Sequence, residues 1–250
     1  MNDLLMVIIF SLLGGIISII GGVLLISSKR RNKFAGYATA FAAGALLAAA
    51  FVDLLPEAFH DGDAHAVSLF VLIGILAFFI LEGFVHWFHR HHRHNSKTTD
   101  PVVPLIIIGD TVHNFIDGIA IAAGFLVDPM TGIIVTLAVA AHEIPQEIGD
   151  FGLLLHKGVK RSKVFLINAL SALATTVAAV IFFLLGSNFE LPIAPILALI
   201  AGFFIYIAVS DIIPSIHQEK SRRAIARDSI ILVIGVVVVS AVIYLLHSMI

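Results

Sequence analysis

A chain of 250 residues with 59% hydrophobic and 13% charged side chains, and a mean hydropathy of +1.04, is too apolar for a soluble domain. It contains no cysteine, which excludes disulfides and thiolate metal ligands, and its net charge of −2 carries information only through its distribution. Nucleic acid is not an expected partner.

Apolar runs of about 20 residues can cross a bilayer, and in lipid they must be helical to satisfy their own backbone groups. They fall at approximately 4–27, 34–56, 66–88, 103–126, 131–156, 163–186, 192–216 and 228–249. The expected fold is therefore all-α, a polytopic membrane protein with eight transmembrane helices in one domain over 1–250. The first run resembles a secretory signal in position, but MNDLL has no basic residue and the positive cluster follows the run. That order predicts an uncleaved span with its N-terminus outside.

Charge placement supports the count. Lys29, Arg30, Arg31 and Lys33 follow the first span, and Arg90, Arg93 and Lys97 the third. Lys157, Lys160, Arg161 and Lys163 follow the fifth; Lys220, Arg222, Arg223 and Arg227 join the last two. These are all 15 Lys and Arg residues, and the alternate connections at 57–65, 127–130 and 187–191 hold none. The positive-inside rule then makes the four basic loops cytoplasmic and both termini external.

The second span closes on FVDLLPEAF (51–59) and the seventh on AVSDIIPSI (208–216). Asp53 with Pro56 and Asp211 with Pro214 share one spacing on helices running in opposite directions, the signature of an inverted repeat. Asp53, Glu57 and Asp211 are candidates for an entrance. The stretch HWFHRHHRH after the third span opens a loop at 86–101 that holds His86, His89, His91, His92 and His94. Imidazoles at that density bind metal ions weakly, and the competing reading is attraction of Arg90 and Arg93 to anionic lipid.

The fourth and fifth spans each carry a polar string, HNFIDG at 113–118 and HEIPQE at 142–147. Ionised side chains at a helix centre cost roughly 2.5–3.5 kcal/mol each on insertion scales. Asp117, Glu143 and Glu147 therefore need a cavity or an ion, and imidazole with carboxylate is a transition-metal ligand set. Residues four apart share a helix face. His113 lines up with Asp117, Asp110 lies one turn earlier, His142 lines up with Gln146 and Glu143 with Glu147. His113, Asn114 and Asp117 repeat the spacing of His142, Glu143 and Gln146. Pro145 cannot donate to the Ala141 carbonyl, and an opened turn there would free backbone oxygens. Asp110, Asp150 and His156 are further entrance or exit candidates; Asn168 and Ser171 on the sixth span face the site or bond across helices. HEIPQ is not the HExxH of zinc proteases, because position 146 is Gln.

In its eight spans, His-rich cytoplasmic loop, HNFIDG, HEIPQEIGD, DLLPEAF and AVSDIIPSI, the chain resembles the ZIP (Zrt/Irt-like protein) family over its whole length. The resemblance implies movement of Zn²⁺ into the cytoplasm, with Fe²⁺, Cd²⁺ and Mn²⁺ as further substrates. It implies ligands at His113, Asn114, Asp117, His142, Glu143 and Gln146. The family's bridging carboxylate is Gln146 here, which favours one principal ion with Glu147 as a helper. It further implies a plasma (inner) membrane homodimer in which spans one, four, five and six move against two, three, seven and eight by alternating access. On this reading the protein is no enzyme and has no cofactor; a metal-gated channel or sensor is the alternative, and an intramembrane metalloprotease a more remote one.

Overall fold

The computed structural model describes residues 3–27, 31–91, 102–156, 158–189, 191–217 and 221–248. Among them every regular element is helical. In chain order these are α1 (Asp3–Ser27), α2 (Arg31–Ala48), α3 (Leu55–Asp61), α4 (Ala64–His91), α5 (Val102–Val127) and α6 (Pro129–His156). After them come α7 (Arg161–Asn188), α8 (Ile193–Tyr206), α9 (Ile213–His217) and α10 (Arg222–His247). The helices lie where the apolar runs put them, with ends shifted by a few residues. Among the described residues six stretches are long and apolar enough to cross a membrane: Gly36–Asp61, Ala64–Gly83, Ile106–Val127, Arg161–Asn188, Ile193–Ser210 and Arg222–His247. α1 is apolar over the shorter stretch Asp3–Ile17, and α6 carries Glu143, Glu147 and Asp150.

A π-helical turn, Ala49–Leu54, joins α2 to α3, and another, Ile207–Ile212, joins α8 to α9. Asp53 sits in the first and Asp211 in the second, each three residues before a proline. The repeated sequence thus takes the same local backbone twice. Such turns insert one extra residue into a helix and recur at functional sites.

α1, α5, α6 and α7 pack on one another, while α2 packs on α10 and α4 on α8. α2 also lies against α6, and the span Gly36–Asp61 that it begins is the most buried of the six, at 61% against 11% for Arg222–His247. Small side chains recur in the core, among them Ala42 and Ala43 on α2, Ala49 and Ala50 in the π-helical turn after it, and Ala120, Ala122 and Ala123 on α5. Small residues let backbones approach where lipid offers no hydrophobic drive. A Cβ on Gly44 of α2 would stand 2.2 Å from the Leu232 carbonyl oxygen of α10. One on Gly118 of α5 would stand 2.1 Å from that of Thr175 on α7.

α5 and α6 form a hairpin whose whole connection is Asp128. Its Oδ1 accepts hydrogen bonds from the backbone N–H groups of Met130 (2.7 Å) and Thr131 (3.2 Å), and its Oδ2 from Thr131 Oγ1 (2.6 Å). This is an N-cap that satisfies the otherwise orphaned donors of the first turn. α6 stays helical through Pro145, so the turn expected to open there remains within the helix.

A buried imidazole and carboxylate cluster

The hairpin sets the two polar strings side by side. His113 and Asp117 of α5 meet His142 and Glu143 of α6, with one donor atom from each lying within 4.8 Å of all the others. The imidazole Nε2 atoms are 3.1 Å apart. His142 Nε2 is 3.2 Å from Asp117 Oδ2. His113 Nε2 is 3.8 Å from the same oxygen and 3.7 Å from Glu143 Oε1. A tetrahedral ion bonded at about 2.0–2.1 Å has ligand-to-ligand edges of about 3.3 Å. The measured separations bracket that value.

His142 Nδ1 lies 3.1 Å from the Ala138 carbonyl oxygen. A carbonyl only accepts, so the ring proton sits on Nδ1 and leaves the Nε2 lone pair facing the cluster. A fixed tautomer of this kind is how ligating histidines are ordinarily oriented. Asp117, His142 and Glu143 are each at most 3% exposed. Two aromatic rings from other helices stand edge-on to the imidazoles: Phe78 of α4 against His113 and Phe204 of α8 against His142, at 5.7 and 6.0 Å between centroids. These walls limit water around the donors and hold the rings in place.

Asn114 faces elsewhere. Its Nδ2 donates to the Asp110 carbonyl (3.1 Å) and to Asp110 Oδ1 (3.0 Å), and its Oδ1 accepts from Thr175 Oγ1 of α7 at 2.8 Å. Ser171 Oγ donates to Thr111 Oγ1 at 3.3 Å. Asn114 and Ser171 therefore tie α5 to α7, which for Ser171 is the cross-helix role. Gln146 is half-buried, and Glu147 lies outside the four-residue cluster. Asp110, Glu147 and Asn168 are buried; Asp150 is partly so.

Asp53 is 4% exposed, and its Oδ1 lies 3.6 Å from Nε2 of His247 on α10. Glu57 shares a surface group with His60 and Asp61, in which His60 Nδ1 and Asp61 Oδ1 are 2.8 Å apart. The side chains of Asp211, His156, His86, His89 and His91 lie outside the described residues, as do His92 and His94 entirely. Sequence reasoning missed Phe78, Phe204, Thr175 and His247. For the first three no local signal existed, since each is an ordinary residue of an apolar helix. His247 carried one: an ionisable group closing an apolar run.

The family described as ZIP Zinc transporter matches residues 3–104 and 100–243 of the chain. The human protein named Zinc transporter ZIP4 is 39% identical over 175 residues, covering 66% of this chain and 27% of that protein. Zinc transporter ZIP13 of Pongo abelii is 30% identical over 221 residues, covering 79% of this chain and 63% of that one. Metal cation symporter ZIP14 of Bos taurus is 34% identical over 172 residues, 66% of this chain and 34% of its own length. The chain thus spans less than two thirds of each of these relatives.

Proposed function

The chain belongs to the ZIP zinc transporter family, and from that membership we propose that it carries Zn²⁺ across a membrane through the site between α5 and α6. The observation that carries this reading is the cluster of two imidazoles and two carboxylates buried among apolar helices. Two carboxylates balance the charge of one divalent ion, which removes the penalty for burying them. Two imidazole nitrogens favour the borderline ions Zn²⁺ and Fe²⁺ over the harder Mn²⁺, with Cd²⁺ also accepted.

The charge pattern supports the topology in the finer picture, and the family resemblance supports its moving groups and homodimer. α1, α2–α3, α4, α5, α6, α7, α8–α9 and α10 make eight spans, with the basic loops cytoplasmic and both termini outside. Metal passes Asp53 and His247 near the ends of α2 and α10, is held by His113, Asp117, His142 and Glu143, and leaves toward the cytoplasm. Asn114 holds α5 to α7 and keeps the donors in place. The group α1, α5, α6 and α7 moves against α2, α4, α8 and α10 by alternating access, in a homodimer of the plasma membrane.

Purified protein in liposomes loaded with a zinc-sensing dye tests the reading. Saturable Zn²⁺ uptake above that of empty liposomes is expected. Flux that rises linearly with metal concentration indicates a channel, and no flux of Zn²⁺, Fe²⁺, Mn²⁺ or Cd²⁺ overturns the proposal. Uptake also falls as pH drops through the range where imidazoles ordinarily titrate, because a protonated ring has no lone pair to give. A rate that holds steady or rises from pH 7.5 to about 5.5 contradicts coordination by His113 and His142.

A further inference from the structure

A second group of buried polar side chains lies near the four-residue cluster without joining it. Asp110 precedes His113 by one turn on α5, Glu147 follows Glu143 by one turn on α6, and Asn168 precedes Ser171 by one turn on α7. Because α5 and α6 form a tight hairpin, residues before His113 and after His142 run toward the same end. At 1.5 Å per residue, Asp110 is displaced by about 4.5 Å from His113 and Glu147 by about 7.5 Å from His142 in that direction. Ser171 bonds Thr111, so Asn168, nearer the α7 start at Arg161, lies toward that end as well. It is the end that bears the basic loops.

These groups are deeply buried and poorly satisfied. Asp110 is 5% exposed, and Glu147 and Asn168 are each 1% exposed. One Asp110 oxygen is held by Asn114; the other has no hydrogen-bond partner. Neither Glu147 oxygen has one, and neither does the Asn168 amide nitrogen. The charges that bear on Glu147 are the carboxylates of Asp110 and Asp150. A buried carboxylate without donors, facing others of like charge, asks for a cation.

The geometry points to a second divalent-cation station formed by Asp110 and Glu147, one turn nearer the basic loops than the His113–His142 cluster, with water completing its coordination. This rests on the transport reading of the first cluster and gives it a release step. The donors are oxygens only, a set that suits harder ions such as Mn²⁺ and holds Zn²⁺ less firmly than imidazole does. An ion passing from the first cluster to the second therefore moves from a tighter hold to a looser one.

Equilibrium dialysis of the detergent-purified full chain against Mn²⁺ tests this with wild type, Glu147→Gln, Asp110→Asn and Asp117→Asn. The histidine-rich loop is common to all four, so differences report the buried sites. Glu147→Gln and Asp110→Asn are each expected to lose one Mn²⁺ equivalent that Asp117→Asn retains, while both still bind Zn²⁺ at the imidazoles. In liposomes Glu147→Gln lowers the maximal Zn²⁺ rate about tenfold with little change in the half-saturating concentration. Should Glu147→Gln not fold, Asp110→Asn carries the test, its retained Zn²⁺ binding serving as the check on folding. The station is overturned if both variants bind as much Mn²⁺ as wild type, or if Asp117→Asn loses the same equivalent. Failure of the transport reading looks different: wild type moves no metal, whatever the dialysis shows.

Discussion

Asp117→Asn and His142→Ala each reduce saturable Zn²⁺ uptake in liposomes at least about a hundredfold, the upper range for losing a mere outer-shell partner of a metal ligand. Asp117 is the hub of the cluster, its Oδ2 lying 3.2 Å from His142 and 3.8 Å from His113. Asparagine keeps the volume and removes the charge, so one carboxylate is left to balance a divalent ion. Removing the His142 ring deletes a donor whose lone pair is already aimed into the cluster by the Ala138 carbonyl, and opens a gap beside Phe204. The check is initial uptake rate against Zn²⁺ concentration, with elution volume and thermal unfolding confirming the fold. Uptake within twofold of wild type for either variant would remove the cluster from the transport path.

Gly118→Ala destabilises the protein by about 1–3 kcal/mol, the usual cost of forcing a methyl into filled space, although helix propensity alone predicts a gain of about 1 kcal/mol. The opposite signs make the experiment decisive. A Cβ at this position would stand 2.1 Å from the Thr175 carbonyl oxygen and 2.8 Å from the Ala178 Cβ, both on α7. The backbone there cannot yield as a flexible side chain does. α5 would have to lift off α7, stretching the bond from Thr175 to Asn114. Gly83→Ala is the control: a Cβ there meets nothing within 4 Å, so propensity acts alone and the change is neutral or stabilising. Thermal unfolding in detergent reads both. An unfolding midpoint for Gly118→Ala at or above wild type would show that the close approach of α5 to α7 is not structural.

HNFIDG and HEIPQE are legible in the chain because hydrocarbon makes polar groups conspicuous: an acid within an apolar run requires a reason. The i to i+4 spacing by itself sets His113 over Asp117 on one helix face. What spacing cannot give is which side of α5 meets α6 and which meets α7. Asn114, adjacent to His113, groups by sequence with the candidate metal ligands. Its Oδ1 also accepts from Thr175, 61 residues away, and one of two adjacent threonines in an apolar helix gives no sign of being its partner. The final glycine of HNFIDG is explained only by the α7 backbone pressed against it. Likewise the shared Asp and Pro of the two DxxP motifs are visible in sequence, but their common π-helical turn is not, because the residues around it are apolar on every face and hide the phase shift that an extra residue makes. Phe78 and Phe204 are invisible for the opposite reason: nothing distinguishes a phenylalanine that walls a polar site from one that faces lipid.

The four donors come from two helices joined through a single residue, Asp128, which is locked to the start of α6 by three hydrogen bonds. A clasp this short leaves α5 and α6 little freedom to part at that end, so the ion cannot be let go by prying its two jaws open there. The aromatic rings on α4 and α8 are under no such constraint. Phe78 and Phe204 stand on α4 and α8, outside that clasp, so the walls of the site and its donors belong to separately anchored parts of the fold.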